Sequence, residues 1–159
     1  MTYIVGIFCL ISLSLLSFVS IYQWAHALLA IATQKMPRFF DGARTTRFLI
    51  LIPAHNEEDG LPETLQSLSA LEYPKQLIHI VVIADRCSDA TATAARDGGA
   101  MCLERSEGQG GKGAAMSWAM EELGKTGVKF DALVIIDADC LADTRLLEAF
   151  DDALAKGHV

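Results

Sequence analysis

The first 34 residues contain no Asp, Glu, Lys or Arg, so all 33 charged residues of this 159-residue chain lie from Lys35 onward. From Ile4 to Trp24 the sequence is almost wholly apolar or small, and that character persists to about Ala32. This meets the roughly 20-residue requirement for a helix crossing a hydrocarbon core of about 30 Å. No basic residue precedes the run and the run is too long for a secretory leader, which favours a retained transmembrane helix over a cleaved signal. Paired or zinc-spaced cysteines are also missing. Cys9, Cys87, Cys102 and Cys140 are scattered, so reduced, structurally incidental thiols are expected. A basic stripe is absent too, and the net charge of −7 argues against nucleic acid as a partner. No repeat or low-complexity tract interrupts the chain.

What basic charge exists near the apolar run follows it: Lys35, Arg38, Arg44 and Arg47. The positive-inside rule therefore orients the remainder toward the cytoplasm. The expected location is the inner (plasma) membrane, with one pass in this chain and its soluble part cytoplasmic. Three regions are expected: a transmembrane helix over 1–34, a juxtamembrane linker over 35–46, and a folded part over 47–159. Tyr22 and Trp24 suit a membrane interface, and the Phe39-Phe40 pair of the linker suits the membrane surface.

A regular alternation begins after Thr46. Phe48 to Ile52 reads as a strand closed by Pro53, followed by a helix from about Leu61 to Leu71 with Pro62 in its first turn. Leu77 to Ala84 is the second strand and Ser88 to Arg96 the second helix, stopped by Gly98-Gly99. Met101 to Glu104 is a short third strand. Ala114 to Leu123 is a helix, Ala132 to Ile136 the fourth strand, and Asp143 to Ala155 a last helix. Nearly continuous apolar strands alternating with helices predict an α/β domain, a mostly parallel sheet covered by helices on both faces.

In open parallel sheets, ligands bind beyond the carboxyl ends of the strands. The polar clusters of this chain fall at those ends. They are Pro53-Ala54-His55-Asn56-Glu57-Glu58, Asp85-Arg86-Cys87-Ser88-Asp89, Glu107-Gly108-Gln109-Gly110-Gly111-Lys112-Gly113 and Asp137-Ala138-Asp139. Asn56, Asp59, Ser88 or Asp89 could serve only as helix caps, and the glycines only as a turn. Four clusters on one edge favour a ligand site. Asp137 and Asp139, one residue apart after an apolar strand, offer hard oxygen ligands for Mg²⁺ or Mn²⁺, which usually complete their shell with substrate phosphates. The glycine run satisfies G-x-G-x-x-G, yet it follows the third strand rather than the first, which weakens a dinucleotide reading. A phosphate P-loop fails, because Ser106 replaces its first Gly and Gly113 the Ser or Thr after Lys112.

The four motifs in this order resemble the amino-terminal half of family-2 glycosyltransferases, most of all their membrane-anchored, cellulose-synthase-like bacterial branch. The resemblance covers roughly Arg47 to Phe150. It implies a GT-A fold, a nucleotide-sugar donor (usually a UDP-sugar), a glycan or lipid acceptor, a divalent cation, and inversion at the anomeric carbon. By position it implies that Pro53, Ala54 and Glu57 line the nucleoside pocket and that Asp85 hydrogen-bonds the nucleobase. Lys112 would approach the base or diphosphate, Asp137 the ribose and metal, and Asp139 the metal directly. Ala84 departs from the pattern, since the family often has two adjacent acids there; base recognition rests on Asp85 alone. The family's general base lies well downstream of the Asp-x-Asp, so it is expected beyond Val159, with the chain alone incomplete and inactive. Asp151 and Asp152, in the helix after the metal motif, are not assigned that role. Two other readings stay open: a non-catalytic nucleotide-binding membrane module and, more weakly, an NAD-type oxidoreductase.

Overall fold

The computed structural model describes residues 2–33 and 44–157, which fall in two compact units. The first is one helix, α1, Thr2–Thr33. Its stretch Ser12–Ala30 is long and apolar enough to cross a membrane, and every side chain from Leu13 to Ala30 is exposed. Three of its polar side chains bond inward. Ser14 and Ser20 hydroxyls donate to the carbonyls of Leu10 (2.8 Å) and Leu16 (2.9 Å). His26 Nδ1 lies 3.1 Å from the carbonyl of Tyr22. Side chains that close on their own helix backbone leave less polar surface to desolvate in lipid. Lys35, Arg38 and the Phe39-Phe40 pair lie outside the described residues.

The second unit is built on a four-stranded parallel sheet of order β3-β2-β1-β4. Its strands are β1 (Phe48–Ala54), β2 (Ile78–Asp85), β3 (Met101–Arg105) and β4 (Ala132–Ile135). Alternation along β1 divides the core. Phe48, Ile50 and Ile52 face a layer containing Leu61, Leu65 and Leu68 of α2 (Leu61–Ser69), Ala95 of α3 (Thr91–Asp97) and Leu147 of α5 (Leu146–Ala155). Leu49 and Leu51, with Val81 and Ile83, face Ala115, Ala119 and Leu123 of α4 (Lys112–Thr126). All five β1 residues from Phe48 to Ile52 are fully buried. At about 1.5–3 kcal/mol for each large apolar side chain, this central strand is a principal source of stability. The parallel sheet with helices on both faces matches the expected class.

The element ends differ from expectation in physically instructive ways. β1 runs through Pro53 to Ala54 rather than closing before it. Leu51 accepts from Ile136 N on the β4 side at 3.1 Å, so by alternation Pro53 also faces that side, where β4 has already ended at Ile135. Its missing N–H costs no ladder bond there. Leu77 belongs to a 3₁₀ turn, Lys75–Leu77, and β2 starts one residue later. α2 stops at Ser69, and Asp143 forms a turn before α5, accepting from Leu146 N through its carbonyl at 3.0 Å. α3 begins at Thr91, not Ser88, because 86–90 form a loop that bonds across to the β1 loop. α4 begins at Lys112, which places that lysine on the helix's first turn.

Candidate functional site

The carboxyl ends of β1 and β2 open into two loops that are stitched to one another. Asn56 Oδ1 accepts from Ser88 N at 2.8 Å, Glu57 N donates to Thr91 Oγ1 at 2.8 Å, and Glu58 Oε2 accepts from Ala90 N at 2.8 Å. Asp89 accepts from Thr91 N at 3.0 Å and from the Thr91 hydroxyl, which holds its carboxyl below the usual carboxylate range. Neither α2 nor α3 carries a side-chain N-cap: Asn56 and Ser88 bond to each other across the loops, and of the three only Asp89 reaches the start of α3, at Thr91 N. Asn56 (φ 57°) and Arg86 (φ 53°) both adopt the left-handed conformation that non-glycine residues rarely take. Such strain persists only where surrounding contacts over-determine it, and it concentrates at binding sites.

Between these loops and the start of α4 lies an open cleft of about 330 Å³. Pro53, Ala54, Glu57, Asp85 and Lys112 line it, joined by His55, Arg86, Gly111 and Ala115. Five of the residues singled out from sequence therefore share one wall system. Asp137 and Asp139 are not walls of this cleft, but Lys112 ion-pairs with Asp137 and so ties the fourth loop to it. The Asp137–Cys140 segment is a turn, closed by Cys140 N donating to the Asp137 carbonyl at 3.2 Å. Ala138 is buried and both aspartates are exposed. The Asp139 backbone sits beside Gly60, where a Cβ would lie 3.9 Å from the Asp139 Cα. Among the described residues, no three His, Cys, Asp or Glu side chains converge to hold a metal alone. The donor set of two exposed carboxylates still fits Mg²⁺ or Mn²⁺, ions that are commonly held by one or two carboxylates with phosphate and water making up the shell.

Asp85 is the most enclosed acid of the cleft. Its residue is 6% exposed, and Oδ1 accepts from Arg105 Nη1 at 2.9 Å, with Arg86 Nε at 3.5 Å. Arg105 is itself buried at 7% and opposes Asp85 across the β2–β3 register. His55 Nδ1 lies 2.7 Å from the Asp85 carbonyl, fixing the strand end. Sequence reasoning named His55 and Arg86 only within the polar clusters, with no role of their own, and did not single out Arg105, Thr91 or Thr64. The only signal for Arg105 was its place at the end of the third strand, and its partner emerges only once strand register is known.

Comparison with known proteins gives a consistent picture. Residues 46–157 match the family described as "Glycosyltransferase like family 2". A 4,4'-diaponeurosporenoate glycosyltransferase of Staphylococcus haemolyticus is 32% identical over 118 residues, covering 73% of this chain and 30% of that protein. The mannosyltransferase PcManGT of Pyrobaculum calidifontis, solved with GDP-Man and Mn²⁺, superimposes with a TM-score of 0.60. It is 22% identical, over 90% of this chain and 42% of its own. S. aureus TarS 1-349, solved with UDP-GlcNAc, gives 0.60 at 21% identity, over 70% and 32% respectively. The chain therefore spans less than half the length of each of these proteins.

Proposed function

We propose that this chain, which belongs to glycosyltransferase family 2, forms the donor-binding part of a metal-dependent, inverting glycosyltransferase that uses a nucleotide-sugar. The observation that carries the reading is the shared cleft, where Pro53, Ala54, Glu57, Asp85 and Lys112 meet at the carboxyl edge of the sheet. A nucleoside fits among Pro53, Ala54 and Glu57, with Asp85 accepting an N–H from the base. Uracil, with an imide N–H, suits that acceptor, which favours a UDP-sugar carrying a hexosyl or N-acetylhexosaminyl group. Neighbouring structures hold UDP-GlcNAc or GDP-Man, and both of those bases present an N–H on the pairing edge.

Lys112 and Asp137 form an exposed ion pair in the free protein. On donor binding, Lys112 would turn to the diphosphate and free Asp137 for the ribose and metal, while Asp139 would hold the cation. Mg²⁺ or Mn²⁺ would neutralise the charge that develops on the leaving diphosphate. The presence of Mn²⁺ in a related mannosyltransferase structure supports that assignment. Inversion needs a group that takes the acceptor hydroxyl's proton. We assign neither Asp151 nor Asp152 to it, because both bind Arg44 at the amino edge of the sheet, away from the cleft. A glycan or lipid acceptor is proposed, and the base is assigned to no residue described in this chain.

Residues 1–34 would anchor the protein in the inner membrane, 35–46 would link, and 47–159 would stand in the cytoplasm, where nucleotide-sugars are made. Titration calorimetry with UDP, with and without Mg²⁺ or Mn²⁺, tests the reading. Metal-dependent binding is expected. Equal binding in EDTA, or preference for NAD, would overturn it.

A further inference from the structure

Arg105, the last residue of β3, contacts both the end of β2 and the glycine loop. Its Nη1 donates to Asp85 Oδ1 at 2.9 Å, and its Nη2 donates to the carbonyl of Gln109 at 2.6 Å. Its own carbonyl accepts from Arg86 N at 2.7 Å, fixing the residue that follows Asp85. The guanidinium is buried, and the glycine loop is moulded on it. Gly108 has φ 102°, and a Cβ there would lie 2.7 Å from Arg105 Nη2. Gly110 packs in the same manner on Arg86, where a Cβ would lie 2.8 Å from Nη2. Two of the loop's glycines, Gly108 and Gly110, therefore pack directly on arginines of the protein itself. One planar fork cannot move away from either partner without breaking the other bond.

We infer that Arg105 is a positioning residue that couples nucleobase recognition to closure of the glycine loop that leads into Lys112. This rests on the reading of Asp85 as the nucleobase acceptor. Arg105 occupies Asp85 Oδ1, so the carboxylate is fixed in rotation and presents its second oxygen as the acceptor for the ligand. An ionised carboxylate only accepts hydrogen bonds. It therefore selects bases with an N–H at the middle of the pairing edge, as uracil and guanine have, over cytosine and adenine, which offer a lone pair there. The second hand of Arg105 holds Gln109, three residues before Lys112, so the loop and the acceptor share one anchor.

Two variants separate the two hands. Arg105→Met removes both, and Arg105→Lys keeps a cation for Asp85 without the fork. UDP and CDP affinities are measured on the full chain in detergent with Mn²⁺, and hydrogen exchange of residues 107–111 is followed without nucleotide. The wild type should favour UDP over CDP by about tenfold or more, the scale of one hydrogen bond to a charged group. Arg105→Met should reduce that ratio to about one and accelerate loop exchange. Arg105→Lys should recover most of the base preference but not the loop protection. A general loss of fold would weaken both nucleotides alike and leave the ratio unchanged. If Arg105→Met, or Arg105→Lys should the first not fold, keeps both the UDP/CDP ratio and the loop protection, the coupling is wrong while the donor site stands. Failure of the wild type to bind either nucleotide would overturn the donor site, and unaltered loop exchange in the variants would by itself overturn the clamp.

Discussion

The buried hydroxyl of Thr64 donates a 2.7 Å hydrogen bond to the carbonyl of Ala138, the residue between Asp137 and Asp139. Thr64 is fully buried on α2, and Ala138 is 4% exposed. The turn that carries both proposed metal ligands is thus tethered through its middle peptide to a helix in the core. A second tether follows, with Ala142 N donating to Ser67 Oγ at 3.0 Å. Exposed carboxylates on an otherwise free turn would pay an ordering cost on binding a cation, and these tethers lower it.

Thr64→Val keeps the shape and leaves the Ala138 carbonyl without its donor. The expected cost is about 1–3 kcal/mol of stability, the penalty of an unsatisfied buried acceptor. Metal-dependent UDP binding should also weaken at temperatures where the variant remains folded. Calorimetry paired with denaturant unfolding checks both. Loss of stability with unchanged metal dependence would show that the tether serves the core alone.

Asp139→Asn removes a charged oxygen at an exposed position and should leave the unfolding free energy within about 0.5 kcal/mol of wild type. Mn²⁺-dependent UDP binding should fall by at least tenfold, while residual metal-independent binding persists through the cleft. Asp137→Asn differs in its expected signature, because it also releases Lys112 from its ion pair. Nucleotide binding without metal should then hold or rise, and the Mn²⁺ enhancement should shrink. Identical profiles for the two variants would argue against separate roles.

Much of this was legible before any coordinates. Phe48 to Ile52 is an apolar run in which every residue is buried, and a strand covered on both faces has no other pattern. The four polar clusters mark strand ends because only there can a buried parallel sheet expose ligand-binding groups. Arg105 and Thr64 were not legible, since each acts on a partner 20 or 74 residues away, and a sequence shows no register between distant segments. The same limit hid the start of α3. Ser88 looked like a cap, but its backbone N–H is taken by Asn56 from the other loop.

Tyr73 gives the pH dependence. Its ring packs edge-on against Phe48 and its hydroxyl donates to the Thr46 carbonyl at 3.0 Å. Burial, with the nearby Asp151 carboxylate, pushes its pKa up to about 12. The unfolded phenol ionises near 10. Because the folded value is the higher one, the contribution is fully present below pH 10 and is lost as pH rises through about 12. Stability should decline across that alkaline window, and Tyr73→Phe should flatten the decline. Unfolding midpoints between pH 9 and 12 measure the difference; parallel curves for the two proteins would remove Tyr73 from the account.

The proposed topology rests on the basic residues that follow α1. A fluorescent reporter fused after Val159 should be active in the cytoplasm, and a periplasmic phosphatase fused there should be silent. The reverse pattern would overturn the proposed access to cytosolic nucleotide-sugars, because Arg44 and Arg47 would then lie on the wrong side of the membrane.

The last prediction separates fold from chemistry in α5. Arg44 Nη1 donates to Asp152 Oδ1 at 2.5 Å and to Asp151 Oδ2 at 3.2 Å, and Glu148 lies 3.9 Å from its Nη2. The Thr46 hydroxyl also donates to Asp151. These carboxylates thus fasten α5 to the segment entering β1, and Asp152 is 6% exposed. Removing one partner of such a pair leaves a buried charge uncompensated, so Arg44→Met should cost on the order of 3 kcal/mol or more. Asp151→Asn, which keeps an acceptor for Thr46, should cost less. Neither change should alter the UDP affinity of the folded fraction or its Mn²⁺ dependence, since the clasp sits at the amino edge and the cleft at the carboxyl edge of the same sheet. If Asp151→Asn or Asp152→Asn abolished sugar transfer without lowering stability, these acids would belong to the chemistry, and their assignment to Arg44 would be insufficient.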